Sequence, residues 1–352
     1  MMTLMDYLTC ATQEGASDIF IVPGAPVSMK LDRNLRPMAA DKIMPSDGKA
    51  LIEELYALAE RDMKHFLLTG DDDFSFSIPG LARFRVNTYR QRGSLASVIR
   101  LVAFSIPNWK DLHIPTQVMN LSNLSSGMVL VSGTAGSGKS TTLACLIDRI
   151  NHQRAGHIIT LEDPIEFLHR NQKSIVSQRE IAVDTENYLS ALRACLRQAP
   201  DVILLGEMRD LETIRTAMTA AETGHLLLAT LHTKGAVNTI DRIIDAFPAD
   251  QQDQIRIQLS AVLRTVVSQQ LLPTTTGDLI PAFEIMHMTS AVRSLIRNSK
   301  NHQIPGAIAA GSMEGMRSMD QSILSLYQEG FISRETALDH ADNPDQLLRR
   351  ID

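Results

Sequence analysis

The chain has little cysteine, few aromatics and no excess of positive charge. Its three cysteines, Cys10, Cys145 and Cys195, are too scattered for a CxxC pair or a zinc set. So sparse and odd a count fits a reducing compartment. No run approaches the ~20 apolar residues that a membrane-spanning helix needs. The N-terminus carries Asp6 and Glu14 and lacks the basic segment and apolar run of a signal peptide. There is no repeat at solenoid periods and no low-complexity tract. Lysine and arginine number 34 against 40 aspartates and glutamates, a formal charge of −6, and Trp109 is the single tryptophan. The interleaved basic and aromatic residues of a strand-binding protein are therefore missing. These absences argue against a disulfide scaffold, a zinc module, a helical membrane protein and a nucleic-acid binder. They point to a cytoplasmic protein whose membrane association would run through a partner.

What is present suffices for large cores. Hydrophobic residues make up 44% of 352 residues, a length that suggests two domains. Residues 3–14 form an amphipathic pattern with Leu4, Tyr7, Leu8 and Ala11 on one face. Strands are expected at 17–22 and 27–31, around a Pro-Gly-Ala-Pro turn, and a helix at 46–61 capped by Ser46 or Asp47. FSFSI, ARFRVNTYRQ and SLASVIRL follow as a strand meander punctuated by Pro79, Gly80 and Gly93. Together these make a mixed α+β domain over 1–104. Residues 105–127, rich in Pro, Asn and Ser, look like a linker and hinge. Over 128–352 the texture changes. The short apolar runs MVLVS, HIITL, DVILL and HLLLATL alternate with helical stretches, which suggests a parallel sheet buried on both faces. From Ser290 onward the chain reads as helices: AVRSLIRN, MDQSILSLYQEG and SRETALDHA.

Gly133-Thr134-Ala135-Gly136-Ser137-Gly138-Lys139-Ser140 matches the phosphate-loop pattern GxxxxGK[ST], with Thr141 following. A strand runs in and a helix runs out. The glycines let backbone N–H groups turn toward phosphate oxygens, and the helix N-terminus adds partial positive charge. Lys139 can reach the β- and γ-phosphates, and Ser140 can offer its hydroxyl to Mg²⁺.

Hydrolysis also needs groups that order the metal shell and the attacking water. HIITLEDPIEF places Glu162, Asp163 and Glu166 just past one strand, and DVILLGEMRD places Glu207 just past another. In an open parallel sheet the strand C-termini share the edge where the phosphate loop sits, so all four carboxylates are expected near the γ-phosphate. HLLLATLHT has a histidine at each end, and at ~3.3 Å per residue His225 and His232 lie ~23 Å apart. His232 belongs to the C-terminal edge if the strand runs parallel, and His225 to the opposite one. Arg83, Arg85, Arg90, Arg92 and Arg100 fall in one meander and suggest a basic face. Guanidinium forks suit phosphoryl oxygens.

These motifs together resemble the type IV pilus retraction ATPases, the twitching-motility motors of the type II/IV secretion ATPase superfamily. The likeness runs from SDIFIVPGAPVSM to AVRSLIR. It is densest in LEDPIEF, SQREI, ALRACLRQAPDVILLGEMRDLETI, TAAETGHLLLATLHT and TIDRIIDAFPADQQDQIRIQL. The resemblance implies a RecA-like P-loop ATPase domain behind a smaller PAS-like N-terminal domain, with a helical C-terminal tail. It implies ATP and Mg²⁺ as ligands and a homohexamer. That ring would act on the pilus machinery through an inner-membrane platform protein, with ATP-driven domain closure as its stroke. By position, Glu162 matches the water-activating glutamate, with Asp163 and Glu166 as acidic neighbours. Glu207 matches the Walker B glutamate, which with Ser140 would hold Mg²⁺. His225 and His232 match the His-box histidines. Arg85, Arg92 and Arg100 match arginines that reach toward nucleotide. Which of Glu162 and Glu207 activates water stays open.

The chain departs from the family in places. SDIF stands where the family usually has SDLH, and LPTTTG is short and uncharged. The four-cysteine zinc motif and longer N-terminal region of the extension ATPases are not present, which favours the retraction type. A retraction-accessory paralogue or a related secretion ATPase is the alternative. A nucleic-acid motor, which DNA-stimulated turnover would reveal, and a non-hydrolysing nucleotide sensor rank lower. A sensor would be expected to have lost Glu162 or Glu207.

Overall fold

The computed structural model describes residues 2–31, 34–102 and 106–351, which divide into two compact units. The first comprises Met1–Ser105 with Glu166–Leu168, the second Ile106–Ile165 with His169–Asp352. The junction expected between 1–104 and the 105–127 segment falls partly outside the described residues.

The first unit is built on α1 (Leu4–Gln13), β1 (Asp18–Ile21), β2 (Ser28–Leu31), β3 (Asn34–Pro37), α2 (Pro45–Leu58), α3 (Lys64–Thr69), β4 (Asp71–Ile78), β5 (Ala82–Gln91) and β6 (Ser94–Val102). Its six strands form one antiparallel sheet in the order β3-β2-β1-β6-β5-β4. Alternation along β5 sends Phe84 and Val86 into the core shared with Leu4, Tyr7 and Leu8 of α1, and leaves Arg85 outside. The cap expected at Ser46 or Asp47 is a correction. The N-cap is Met44, Pro45 occupies the first helical position, and the Asp47 carboxylate accepts the Met44 N–H at 2.8 Å. β3 and α3 are too short to show a period.

The second unit opens with α4 (Thr116–Met119), β7 (Gly127–Ser132), α5 (Lys139–Gln153), β8 (His157–Glu162), β9 (Ile175–Glu180), α6 (Tyr188–Cys195), β10 (Val202–Leu205), α7 (Leu211–Glu222), β11 (Leu226–Leu231), α8 (Ala236–Asp245) and α9 (Ala249–Val262). It continues with β12 (Leu263–Pro273), β13 (Leu279–His287), α10 (Ser290–Arg297), α11 (Ile304–Ala310), α12 (Met319–Gln328), α13 (Arg334–His340) and α14 (Pro344–Ile351). The sheet order is β13-β12-β7-β11-β10-β8-β9, with only β13 antiparallel to its neighbour. The expected two-faced burial is present. Met128, Leu130, Ile159, Leu161, Ile203 and Leu205 enter one core, and Val129, Val131, Ile158, Val202 and Leu204 enter the other. The helices expected after Ser290 are there as α10, α12 and α13.

Reading 105–127 as a linker is corrected for its described part. Ile114, Val118, Met119 and Leu121 are buried in the same core as Val129, Val131 and Leu146. Pro, Asn and Ser gave the segment a loop-like composition, but its spaced apolar residues anchor it to the second unit.

Candidate active site

β7 ends at Ser132 and α5 begins at Lys139, so residues 133–138 form the turn between strand and helix. Gly133, Gly136 and Gly138 have φ of 147°, 75° and 86°, and at Gly136 and Gly138 in particular a side chain would be strained. Two of these glycines also face Gln269 of β12. A Cβ on Gly138 would lie 2.7 Å from Gln269 Nε2, and one on Gly133 would collide with the Gln269 carbonyl oxygen. Gln269 is buried and accepts a 2.8 Å hydrogen bond from Thr142 Oγ1 in the first turns of α5. It ties the sheet to both ends of the loop. No atom lies within 4 Å of a Cβ placed on Gly136, so that side of the loop is open.

Lys139 is buried and donates to the carbonyls of Gly133 and Thr134, both at 2.9 Å. Its Nζ is also 3.5 Å from His232 Nδ1. His232 Nε2 lies 3.6 Å from Glu207 Oε1, and Glu207 Oε2 is paired with Arg209 at 2.7 Å. The strand order explains the convergence. β11 lies directly beside β7, and β10 beside β11, so His232 and Glu207 are one and two strands from the loop. Glu162, at the end of β8, is three strands away. With ~4.8 Å between strands, that sets it roughly 14 Å from the strand that feeds the loop. Its carboxylate accepts from Thr160 Oγ1 at 2.6 Å and Gln178 Nε2 at 3.3 Å. Asp163 is the next residue and is exposed. Ser140 and Thr141 occupy the first turn of α5.

One expectation is met and two change. His225 stands before β11 at the far edge of the sheet, where its Nδ1 is 3.0 Å from the Ala220 carbonyl oxygen and its own carbonyl accepts from Gly127 N. Within this chain it does not join the phosphate loop, because a strand's two ends open on opposite edges. Glu166 groups with the first unit, so the strand ends of the second unit carry three of the four carboxylates. The arginines do not form a single face. Arg85 and Arg100 are cross-strand partners on the outer face of β5 and β6, and Arg100 Nε pairs with buried Asp18 at 3.0 Å. Arg90 is bonded to the Leu67 carbonyl instead. Arg92 sits at the hairpin tip, where Gln91 pairs with Ser94 and the two-residue turn Arg92-Gly93 has φ of 49° and 79°. Such a turn needs left-handed backbone at both positions. Seven residues of strand, ~23 Å, separate Arg92 from Arg85.

The sequence reading also missed residues. Beside Gly138 and Thr141 opens a cavity of about 230 Å³ walled by Leu112, Ile114, Leu271 and Pro281. Two of these lie in the segment taken for linker, and two in a hairpin whose polar centre hides its period. Tyr188, at the first position of α6, packs its hydroxyl against Gly206.

Among the described residues no group of three His, Cys, Asp or Glu is placed to hold a metal by itself. The Ser140 hydroxyl in the first turn of α5 and the Glu207 carboxylate beyond β10 are both oxygen donors. That suits Mg²⁺, which takes one or two side chains and completes its shell with phosphates and water.

Comparison with known proteins agrees with this arrangement. The chain is 42% identical over 347 residues to the type IV pilus retractation ATPase PilT of Pseudomonas aeruginosa, covering 98% of this chain and all of that protein. It is 38% identical over 341 residues to the type IV pilus ATPase PilU of the same organism, covering 97% and 89%. A crystal structure of the pilus retraction motor PilT with bound ADP superposes with a TM-score of 0.89 at 42% identity, covering 99% of this chain and all of that one. The Type II/IV secretion system protein family matches residues 1–278. With most of its length inside that match, and a relative this similar from end to end, the chain belongs to the Type II/IV secretion system protein family.

Proposed function

We propose that this chain is the ATP-hydrolysing motor that powers retraction of a type IV pilus, and with it twitching motility. One observation carries the reading. The convergence of Lys139, His232 and Glu207 at the phosphate loop occurs in a chain alignable from end to end with a retraction ATPase. The second reading is a paralogous type IV pilus ATPase that accompanies a retraction motor, favoured by the 38% identity to a further type IV pilus ATPase, PilU.

The nucleotide's phosphates take the inside of the 133–138 turn, and its base takes the apolar cavity beside Gly138 and Thr141. Lys139 leaves the Gly133 and Thr134 carbonyls for the β- and γ-phosphates. Ser140 and Glu207 would hold Mg²⁺, which when bound draws charge from those phosphates. Glu162, with its carboxylate held by Thr160 and Gln178, orients the attacking water and accepts its proton. Asp163 adds negative charge beside it. Arg92, exposed at its hairpin tip, is the arginine offered to the charge that develops on the γ-phosphoryl oxygens, since Arg85 lies ~23 Å of strand away and Arg100 is paired with Asp18.

We place the motor as a homohexamer in the cytoplasm, acting at the inner face of the membrane through a platform protein of the pilus machinery. Among the described residues no helix is long and apolar enough to cross a membrane. Deleting the gene tests the reading. Hyperpiliated, non-twitching cells, rescued by the wild-type gene and not by Lys139→Ala, are the expected result. Cells that still retract pili, with only reduced force, would move the protein to the accessory class. A stable monomer by light scattering in ATP would contradict the ring.

A further inference from the structure

Side chains alternate along a strand, so Val267, Gln269 and Leu271 share one face of β12. Val267 joins the core that holds Leu143 and Leu146 of α5, so this face looks onto the helix that follows the phosphate loop. Gln269 is the polar residue of the three and is only 3% exposed. Its Oε1 accepts from Thr142 Oγ1 at 2.8 Å, which fixes the amide. Nε2 then points the other way and lies 2.7 Å from where a Cβ on Gly138 would stand, with Leu271 Cδ1 3.9 Å from the same point. Gly138, Gln269 and Leu271 all line the cavity of about 230 Å³ beside the loop. Nε2 therefore sits on the cavity wall, and among the described residues it has no hydrogen-bond partner. Glycine at 138 keeps this end of the amide open, because any side chain there would press on it. Of the polar side chains on the wall only Thr142 and Gln269 are buried, and the Thr142 hydroxyl is already engaged by Gln269.

We propose that Gln269 is a specificity-determining residue of the nucleotide site, donating a hydrogen bond from Nε2 to an unprotonated ring nitrogen of the purine base. This rests on the reading that the base occupies this cavity. Leu112, Ile114, Leu271 and Pro281 offer apolar surface to a flat ring but do not fix how it is turned in its own plane. One oriented donor supplies that direction. Adenine presents acceptors at N1, N3 and N7. An unpaired buried N–H is unfavourable, so a base that lacks the matching acceptor is rejected.

Calorimetric binding of ADP to the wild type, set against 1-deaza-, 3-deaza- and 7-deaza-ADP, tests the proposal. One analogue should bind about tenfold more weakly than ADP, the scale for leaving one buried donor unpaired, with the others close to ADP. Gln269→Met combined with Thr142→Val removes the amide and its hydroxyl partner together, so neither is left orphaned. In that variant ADP should weaken by about tenfold and the sensitive analogue no further. Thr142→Val alone keeps Nε2 and should keep the discrimination. A packing defect would weaken every ligand alike and leave the differences among them unmoved. Equal binding of all the deaza analogues to the wild type would overturn the proposal, as would discrimination that survives in the double variant. Weak binding confined to purine riboside diphosphate, which lacks the 6-amino group, would mean that the amide presents its oxygen, and would overturn it too. Leu279→Trp, at an exposed position on the cavity wall, separates the two failures. Its emission should change with ADP and not with pyrophosphate. Silence with ADP bound would take the base out of the cavity and the proposal with it. If the probe responds while the analogues bind equally, only the role of Gln269 falls.

Discussion

Lys139 Nζ lies 3.5 Å from His232 Nδ1, and because an ammonium only donates, that ring nitrogen is the acceptor. The ring proton is therefore on Nε2, on the side of Glu207 Oε1, 3.6 Å away. One imidazole thus lies beside the group proposed to meet the phosphates and the group proposed to meet the metal.

Replacing Lys139 by Ala removes both the phosphate-binding charge and the two bonds that hold the Gly133 and Thr134 carbonyls. Turnover should fall by at least about 100-fold, the scale for losing one electrostatic stabiliser of a transition state. Steady-state phosphate release measures it, and wild-type turnover would remove the loop from the mechanism.

Glu162→Gln keeps the size of the side chain and one acceptor for Thr160 and Gln178, but loses the basicity needed to take a proton. ATP should bind with near wild-type affinity while kcat drops by roughly 10²–10⁴-fold. Calorimetric binding and single-turnover assays separate the two effects. A drop of less than about tenfold would transfer water activation to Glu207, which the strand order places nearer the loop.

Arg92 has φ of 49° at a hairpin tip and is exposed. Arg92→Gly therefore relieves an unfavourable backbone while deleting the guanidinium, and the fold should gain up to ~1 kcal/mol. If Arg92 serves phosphoryl transfer, the same variant should lose most of its turnover. Thermal melts and ATPase rates on one preparation test both halves. A more stable protein with full activity would leave Arg92 as a turn residue.

Glu284 in β13 is buried and accepts the Ala236 N–H at the start of α8 at 2.7 Å. Burial, aided by the Asp342 and Asp320 charges, raises its pKa from 4.5 to about 6. A raised carboxyl favours the fold when protonated. That contribution is complete below the unfolded value near 4.5 and is lost as pH climbs through about 6. Glu284→Gln carries no such charge, so relative to the wild type it should gain about 2 kcal/mol between pH 4.5 and pH 7.5. Denaturant unfolding at the two pH values measures this, and a difference that does not change with pH would refute it.

Much of the second unit can be read directly from the sequence. Four continuous apolar runs became β7, β8, β10 and β11 because a strand buried on both faces must be apolar at every position. Gly133 to Ser140 declared the loop through a spacing that only a strand-to-helix turn uses. The strands β5 and β6 were legible because their alternation is local, and the family pattern carried the roles expected of Glu162, Glu207 and His232.

The tertiary structure alone decided which of those residues meet. Strand order arises from how the crossover helices pack, not from chain order, and it set His232 and Glu207 beside the loop and Glu162 farther along. It also sent Arg92 to a hairpin tip away from Arg85. β12 could not be seen beforehand because Ser268, Gln269 and Gln270 interrupt its apolar run. Gln269 is buried because its side chain accepts from Thr142, 127 positions earlier. A polar residue whose burial depends on a partner so distant in the chain leaves no trace in local hydrophobic periodicity.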